Sequence, residues 1–111
     1  MTVAITRLAT TLVAASATSV YTVAESTRTR IDAMTLTNTD TAARTVSIYL
    51  VSSGGSPGDS NIVLKDASIA PGASLRVKEA VGQVLHTGGK IYAVASVASK
   101  VAIYASGVEV T

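Results

Sequence analysis

Apolar residues recur at every second position through most of this chain, and short polar runs separate one such stretch from the next. A period of two sends successive side chains to opposite faces of a strand, whereas a helix needs apolar residues three and four apart. The pattern is cleanest over Arg44–Val51, where Val46, Ile48 and Leu50 face one way and Ser47, Tyr49 and Val51 the other. Ser19–Ala24 reads as a short strand and Arg28–Asn38 as a longer one. In the longer one the apolar residues change phase between Ile31 and Met34, which predicts a bulge or kink near Asp32-Ala33. Asn61–Ala70, Ala73–Glu79, Lys90–Val97 and Lys100–Val110 read as further strands, with Leu75 and Val77 inward and Tyr92, in phase with Val94, also inward.

The breaks have their own chemistry. Asn38-Thr39-Asp40-Thr41 carries short polar side chains that bond the local backbone, and Ser52–Ser60 is a glycine-rich loop, the longest in the chain. Pro71-Gly72 fits the centre of a type II turn, because proline fixes φ near −65° and glycine accepts positive φ. Ala98-Ser99 reads as a two-residue hairpin connection or, since neither residue favours positive φ, a slightly longer loop, and Ala80–Gly89 as a helical turn or a crossing segment. About seven or eight short strands at regular spacing predict an all-β, antiparallel β-sandwich. Jelly-roll-like and immunoglobulin-like topologies both fit. Residues 1–17 read as an N-terminal arm or a first strand, and 18–111 as the sandwich.

Composition sharpens this picture. There is no Cys, Trp or Phe, so the core is built from Val, Ala, Ile and Leu, with four Tyr as the only aromatics. The absence of Cys removes thiolate catalysis, Cys-based zinc sites and disulfides. Charged residues make up 14% of the chain, against about 25% in an average domain, which points to surface hidden against a partner. A net charge of +2 with dispersed basic residues argues against nucleic acid as that partner. No run reaches the roughly 18 apolar residues of a membrane span. Met1–Ala17 carries Arg7, an apolar stretch and Ala15-Ser16-Ala17, the outline of a secretion signal that would leave a chain starting near Thr18. Against that outline, Val3, Ala4 and Ile5 precede the only charge, and Thr10 and Thr11 interrupt the apolar stretch.

No catalytic, cofactor or metal site emerges. His86 is the only histidine and has no acid at useful spacing. Asp59 and Asn61 cluster oxygen atoms in one loop, but with a single carboxylate and no calcium-loop pattern. Gly54-Gly55-Ser56-Pro57-Gly58 lacks the Gly-Lys-Ser/Thr ending and the helix that phosphate binding needs, and no Gly-x-Ser-x-Gly elbow is present. The expectation is a non-enzymatic protein.

The order of motifs carries a resemblance. Val20-Tyr21-Thr22-Val23, Thr27–Ile31, Met34–Thr39, Val46–Leu50, Gly54–Ser60, Ile69-Ala70-Pro71-Gly72 and Ser106–Val110 follow one another over about residues 20 to 110. This string resembles the small β-sandwich virion proteins of tailed bacteriophages. The resemblance implies a capsid decoration (cement) protein, made in the host cytoplasm and placed on the capsid surface. Its partners would be the major capsid protein or other virion proteins, and it would act as a homo-oligomer. A tail- or fibre-associated module binding carbohydrate or a receptor is the alternative. Candidate interface residues are Thr2, Val3 and Ile5, as an arm adding a strand to a neighbour's sheet, and Tyr49, which alternates outward.

Overall fold

The computed structural model describes residues Met1–Thr111 and consists of nine strands and a single 3₁₀ turn. The strands are β1 Val3–Leu12, β2 Thr18–Thr22, β3 Arg28–Asn38, β4 Arg44–Val51, β5 Ile62–Ile69, β6 Ser74–Arg76, β7 Val84–Leu85, β8 Lys90–Ala95 and β9 Val101–Val110. All pairings are antiparallel. One sheet runs β1-β9-β3-β6, with β7 sharing the β3 edge beside β6; the other runs β2-β8-β4-β5.

Taking β6 and β7 as one interrupted strand, the chain pairs its ends inward in nested order: β1 with β9, β2 with β8, β3 with β6 and β7, β4 with β5. Only β4 and β5 are sequence neighbours within a sheet; each other connection passes between the sheets or along the β3 edge. This is the strand order of a jelly roll, two four-stranded layers wound from one long folded ribbon. It replaces the expected hairpin at Ala98-Ser99, because β8 and β9 lie in different sheets. The connection crosses the end of the sandwich instead, with Ser99 at φ 62° and its amide bonded to the Val13 carbonyl.

The core is a single aliphatic cluster that includes Ile31, Met34 and Leu36 of β3, Val46 and Ile48 of β4, Ile91 and Ala93 of β8, and Ile103 and Ala105 of β9. Leu8 and Ala9 of β1 and Val13 just beyond it belong to the same cluster, so the first strand is packed into the fold. The phase change in β3 is a bulge at Asp32, where the register with β9 shifts between Ile31 and Ala33. A second shift in β1, between Arg7 and Ala9, flanks the same stretch of β9 from the other side. Between them sits Gly107, where an added Cβ would lie 2.1 Å from the Arg30 carbonyl oxygen.

Three expectations change. Ile91, Ala93 and Ala95 turn inward, so Tyr92 and Val94 face outward; small alanines, not the larger side chains, fill that part of the core. The strand expected over Ala73–Glu79 stops at Arg76, and Lys78–Ala80 turns as a 3₁₀ segment. Val51 is buried, but by the loops around Gly55 and Gly89 and outside the core cluster. The Pro71-Gly72 turn is type II: Gly72 has φ 72°, and the Ala73 amide bonds the Ala70 carbonyl at 3.0 Å.

Candidate interaction surface

The outward residues of β9 are Ala102, Tyr104, Ser106, Val108 and Val110, alternating with buried Val101, Ile103 and Ala105. Cross-strand register then assembles the outer face of the five-stranded sheet row by row. Val110 lies between Val3 and Arg28, Val108 between Ile5 and Arg30, Tyr104 between Thr10 and Thr35, and Ala102 between Leu12 and Thr37. Directly opposed side chains in such pairs sit about 5 Å apart, so these residues touch along the rows. Ile5 is 88% exposed, Val3 57%, Tyr104 54% and Leu12 50%, which leaves an apolar stripe open along one face. The Arg7–Ser106–Ala33 row divides it into a Val3-Ile5-Val108-Val110 group and a Leu12-Tyr104 group; scattered exposed apolar residues are ordinary, but groups gathered on one face mark a contact surface.

At one end of the stripe Arg28, Arg30, Val84, Val108 and Val110 line a shallow groove of about 320 Å³. The Arg30 Nε donates to Asp32 Oδ1 at 2.8 Å, which anchors one of the two guanidinium groups beside the groove. Beneath the rows a polar clasp ties the two sheets. The Tyr21 hydroxyl of β2 donates to Glu109 Oε2 at 2.5 Å, and with that proton committed it accepts from the Thr29 hydroxyl at 2.7 Å. Burial, with the Glu109 carboxylate next, pushes the Tyr21 phenol up to about 12. The group is neutral at any physiological pH and serves as a fixed hydrogen-bond donor.

The opposite end is held by Asn38, which is fully buried and fully bonded. Its Nδ2 donates to the carbonyls of Ala42 and Ile69, both at 2.9 Å, and its Oδ1 accepts the Asp40 amide at 2.9 Å. Arg44 then pairs with Asp40, at 2.6 Å from Nη2 and 2.8 Å from Nε. These bonds fix the β3–β4 turn against the end of β5.

The candidates from the sequence separate onto different surfaces. Val3 and Ile5 lie on the stripe, while the Thr2 backbone pairs with Thr111 in both directions, at 3.0 and 2.9 Å. Tyr49 lies on the other side of the sandwich, half-buried, opposite Tyr92 of β8 and Ile62 of β5. The four residues do not form one surface. Leu12, Val84, Tyr104, Val108 and Val110 belong to the stripe or its groove and were not singled out, although strict alternation in β9 was signal enough for three of them.

The remaining candidates have local partners. His86 is exposed and shares an open hollow with Ser26, Thr27, Arg28 and Thr87, without a carboxylate in its lining. Asn61 staples the glycine-rich loop: its Oδ1 accepts the Gly58 amide at 3.0 Å and its Nδ2 donates to the Ser56 carbonyl at 2.8 Å. No helix is long and apolar enough to cross a membrane. Neither protein-family models nor curated proteins nor solved structures yield a match to this chain.

Proposed function

We propose that this chain is a non-enzymatic structural protein that binds protein neighbours through the outer face of its five-stranded sheet, as a capsid decoration protein of a tailed-phage virion. The observation that carries the reading is the exposed apolar stripe through Val3, Ile5, Tyr104 and Leu12 in a chain with only 14% charged residues. Such a face loses water when it is covered by a protein lattice and offers little to a nucleic acid. The sequence resemblance supplies the virion setting, with the major capsid protein or other virion proteins as partners and the capsid surface as the location. Jelly rolls recur in capsid and lectin domains, which is compatible with both settings raised by the sequence.

The test is rebinding to phage heads depleted of the chain, read by co-sedimentation. Saturable binding is expected, at a stoichiometry set by the lattice. Tyr104→Lys and Val108→Lys, both on β9 at the middle of the face, are expected to abolish it while the melting temperature stays near wild type. Unchanged binding by both variants would remove the surface assignment, and no binding to any head would remove the virion reading.

A second reading, a carbohydrate- or receptor-binding tail module, draws on the Tyr49–Tyr92 pair on the opposite sheet. Adjacent tyrosines present ring faces and hydroxyls together, the chemistry that sugar rings meet. A glycan whose binding raises the melting temperature, and fails to do so with Tyr49→Ala, would favour this reading over the first.

A further inference from the structure

Four strands or strand pairs border the two sheets, and three of these edges are blunted against further pairing. β2 is five residues long with a register shift between Ser19 and Tyr21. β5 carries Lys65 and Asp66 at its centre, with Asp66 at φ 46° and the register broken beside it. The β3 side ends in the three residues of β6 and the two of β7. Shortness, charge and bulges are the devices by which sheets avoid pairing with other chains. β1 is the longest of the four edges, ten residues without Pro or Gly; it carries one charge, Arg7, and one register shift beside it, between Arg7 and Ala9. One of its sides pairs with β9 and the other is free.

The bulge gives this free edge a further property. Outward side chains of β1 match outward ones of β9 at Val3, Ile5 and Arg7 before the shift, and at Thr10 and Leu12 after it. The extra residue reverses the alternation at the middle of the strand. As a result the outward pattern reads almost the same from either end: positions 3 and 5 from one terminus, 12 and 10 from the other. A regular ten-residue strand lacks this symmetry, because its first and last residues point to opposite faces.

We infer that two copies of this chain associate through β1, edge to edge and antiparallel about a two-fold axis, merging their five-stranded sheets into one. In the fully overlapped register Val3 faces Leu12 of the second copy and Ile5 faces Thr10, with each pair on the outer face. Arg7 is paired in register with Leu8 of the second copy, which turns into the core, so the two Arg7 side chains lie diagonally across the two-fold axis on the outer face, where they are exposed and salt screens their repulsion. The apolar stripes of both copies become continuous across the junction, and a foreign strand would have no need of the palindromic pattern. A two-fold contact of this kind closes on itself, and the blunted remaining edges stop growth at the dimer. The inference does not depend on the virion reading, since self-association is measured on the purified chain alone.

Light scattering from about 1 to about 500 µM, the range in which a small interface dissociates, tests it. The mass is expected to rise to twice the 11.2 kDa of one chain. Val3→Lys and Leu12→Glu change exposed positions, leave the melting temperature of the monomer near wild type, and are each expected to weaken the dimer at least tenfold. An equimolar mixture of the two variants is expected to dimerise again, because one junction then pairs the introduced lysine with the introduced glutamate and the other is native. The chain has no cysteine, so a Val3→Cys/Leu12→Cys double variant offers a covalent readout: oxidation is expected to give dimers for the double variant and not for either single one. A monomer throughout the range, a dimer indifferent to both charged variants, or equal cross-linking of a single cysteine variant would each overturn the proposal.

Discussion

Replacing Gly107 by alanine is the sharpest single test of this fold. Gly107 is buried in β9 between two bulged neighbours and does not have a positive φ, so space, not backbone freedom, is what glycine provides there. An added Cβ would meet the Arg30 carbonyl oxygen at 2.1 Å, the Arg30 carbonyl carbon at 3.1 Å and Leu8 Cδ1 at 3.1 Å. Ordinary carbon–oxygen approaches in sheets are about 3.3–3.6 Å, so backbone must move by more than an ångström. The atom in the way is backbone, and rotamer changes cannot relieve the contact. Overpacking of this type costs about 1–3 kcal/mol, and loosening a ladder bond between β3 and β9 adds about 1 more. At about 2.1 cal/mol/K per residue, the unfolding entropy of the 111-residue chain makes each kcal/mol worth roughly 4 °C. Gly107→Ala is therefore expected to lower the melting temperature by about 8–16 °C in calorimetry or circular dichroism. Gly58→Ala is the control, since nothing lies within 4 Å of its added Cβ, and its melting temperature is expected to stay near wild type. A Gly107→Ala protein melting within about 2 °C of wild type would refute the close approach of β9 to β3 on which the argument rests.

Three more outcomes follow from the polar groups. The Tyr21 phenol titrates near 12 in the fold against an ordinary 10.0, so its neutral form is favoured by folding: the stabilisation is complete below pH 10 and lost as pH rises through 12. Two pH units set a ceiling of about 2.7 kcal/mol, which partial exposure reduces to about 1; Tyr21→Phe is expected to flatten this alkaline loss in urea midpoints taken from pH 9 to 12. Asn38→Ala leaves the Ile69 carbonyl unpaired in the interior and the Ala42 carbonyl and Asp40 amide unpaired at its margin, and is expected to cost about 2 kcal/mol, seen as a lower urea midpoint with an unchanged slope. Asp40 is held below its usual 3.8 by the Thr41 amide and then by Arg44, so its contribution is present above that value and lost as pH falls through the lower, folded one. Asp40→Asn is accordingly expected to be less stable than wild type at pH 7, with the difference shrinking in urea titrations at pH 3.

Local features were legible from the sequence where local chemistry determines them. Arg28–Asn38 and Arg44–Val51 have the boundaries that alternation and turn residues predict, the Ile31-to-Met34 phase change is a real bulge, and Pro71-Gly72 forms its type II turn. What alternation does not carry is which sheet a strand joins. Lys90–Ala95 and Val101–Val110 look like the arms of a hairpin because the residues between them are few, yet each finds its partner some forty or more residues away. Tyr92 was misplaced because a large side chain weighs more in a pattern than Ala93 and Ala95, which are the buried ones. The candidate surface divides in the same way. Val3 and Ile5 were visible as an apolar run, but their neighbours Val108 and Val110 come from the far end of the chain, and only the register joins them.

The nested pairing also has a consequence for how the protein is made. β9 occupies an interior position in its sheet, between β1 and β3, and of the nine strands it is the last in chain order. Until it emerges, β1 has no ladder partner and β3 has only the short β6 and β7 along one side. The four-stranded layer is complete once β8 leaves the ribosome, so it can form first and present its core face as a template. The other layer lacks its inner strand until β9 is available to fill the place between β1 and β3. Contacts spanning nearly the whole sequence make that step slow, and they leave β1 open to other unfinished chains in the interval. A chain truncated before Val101 loses not one strand but the sheet that β9 joins.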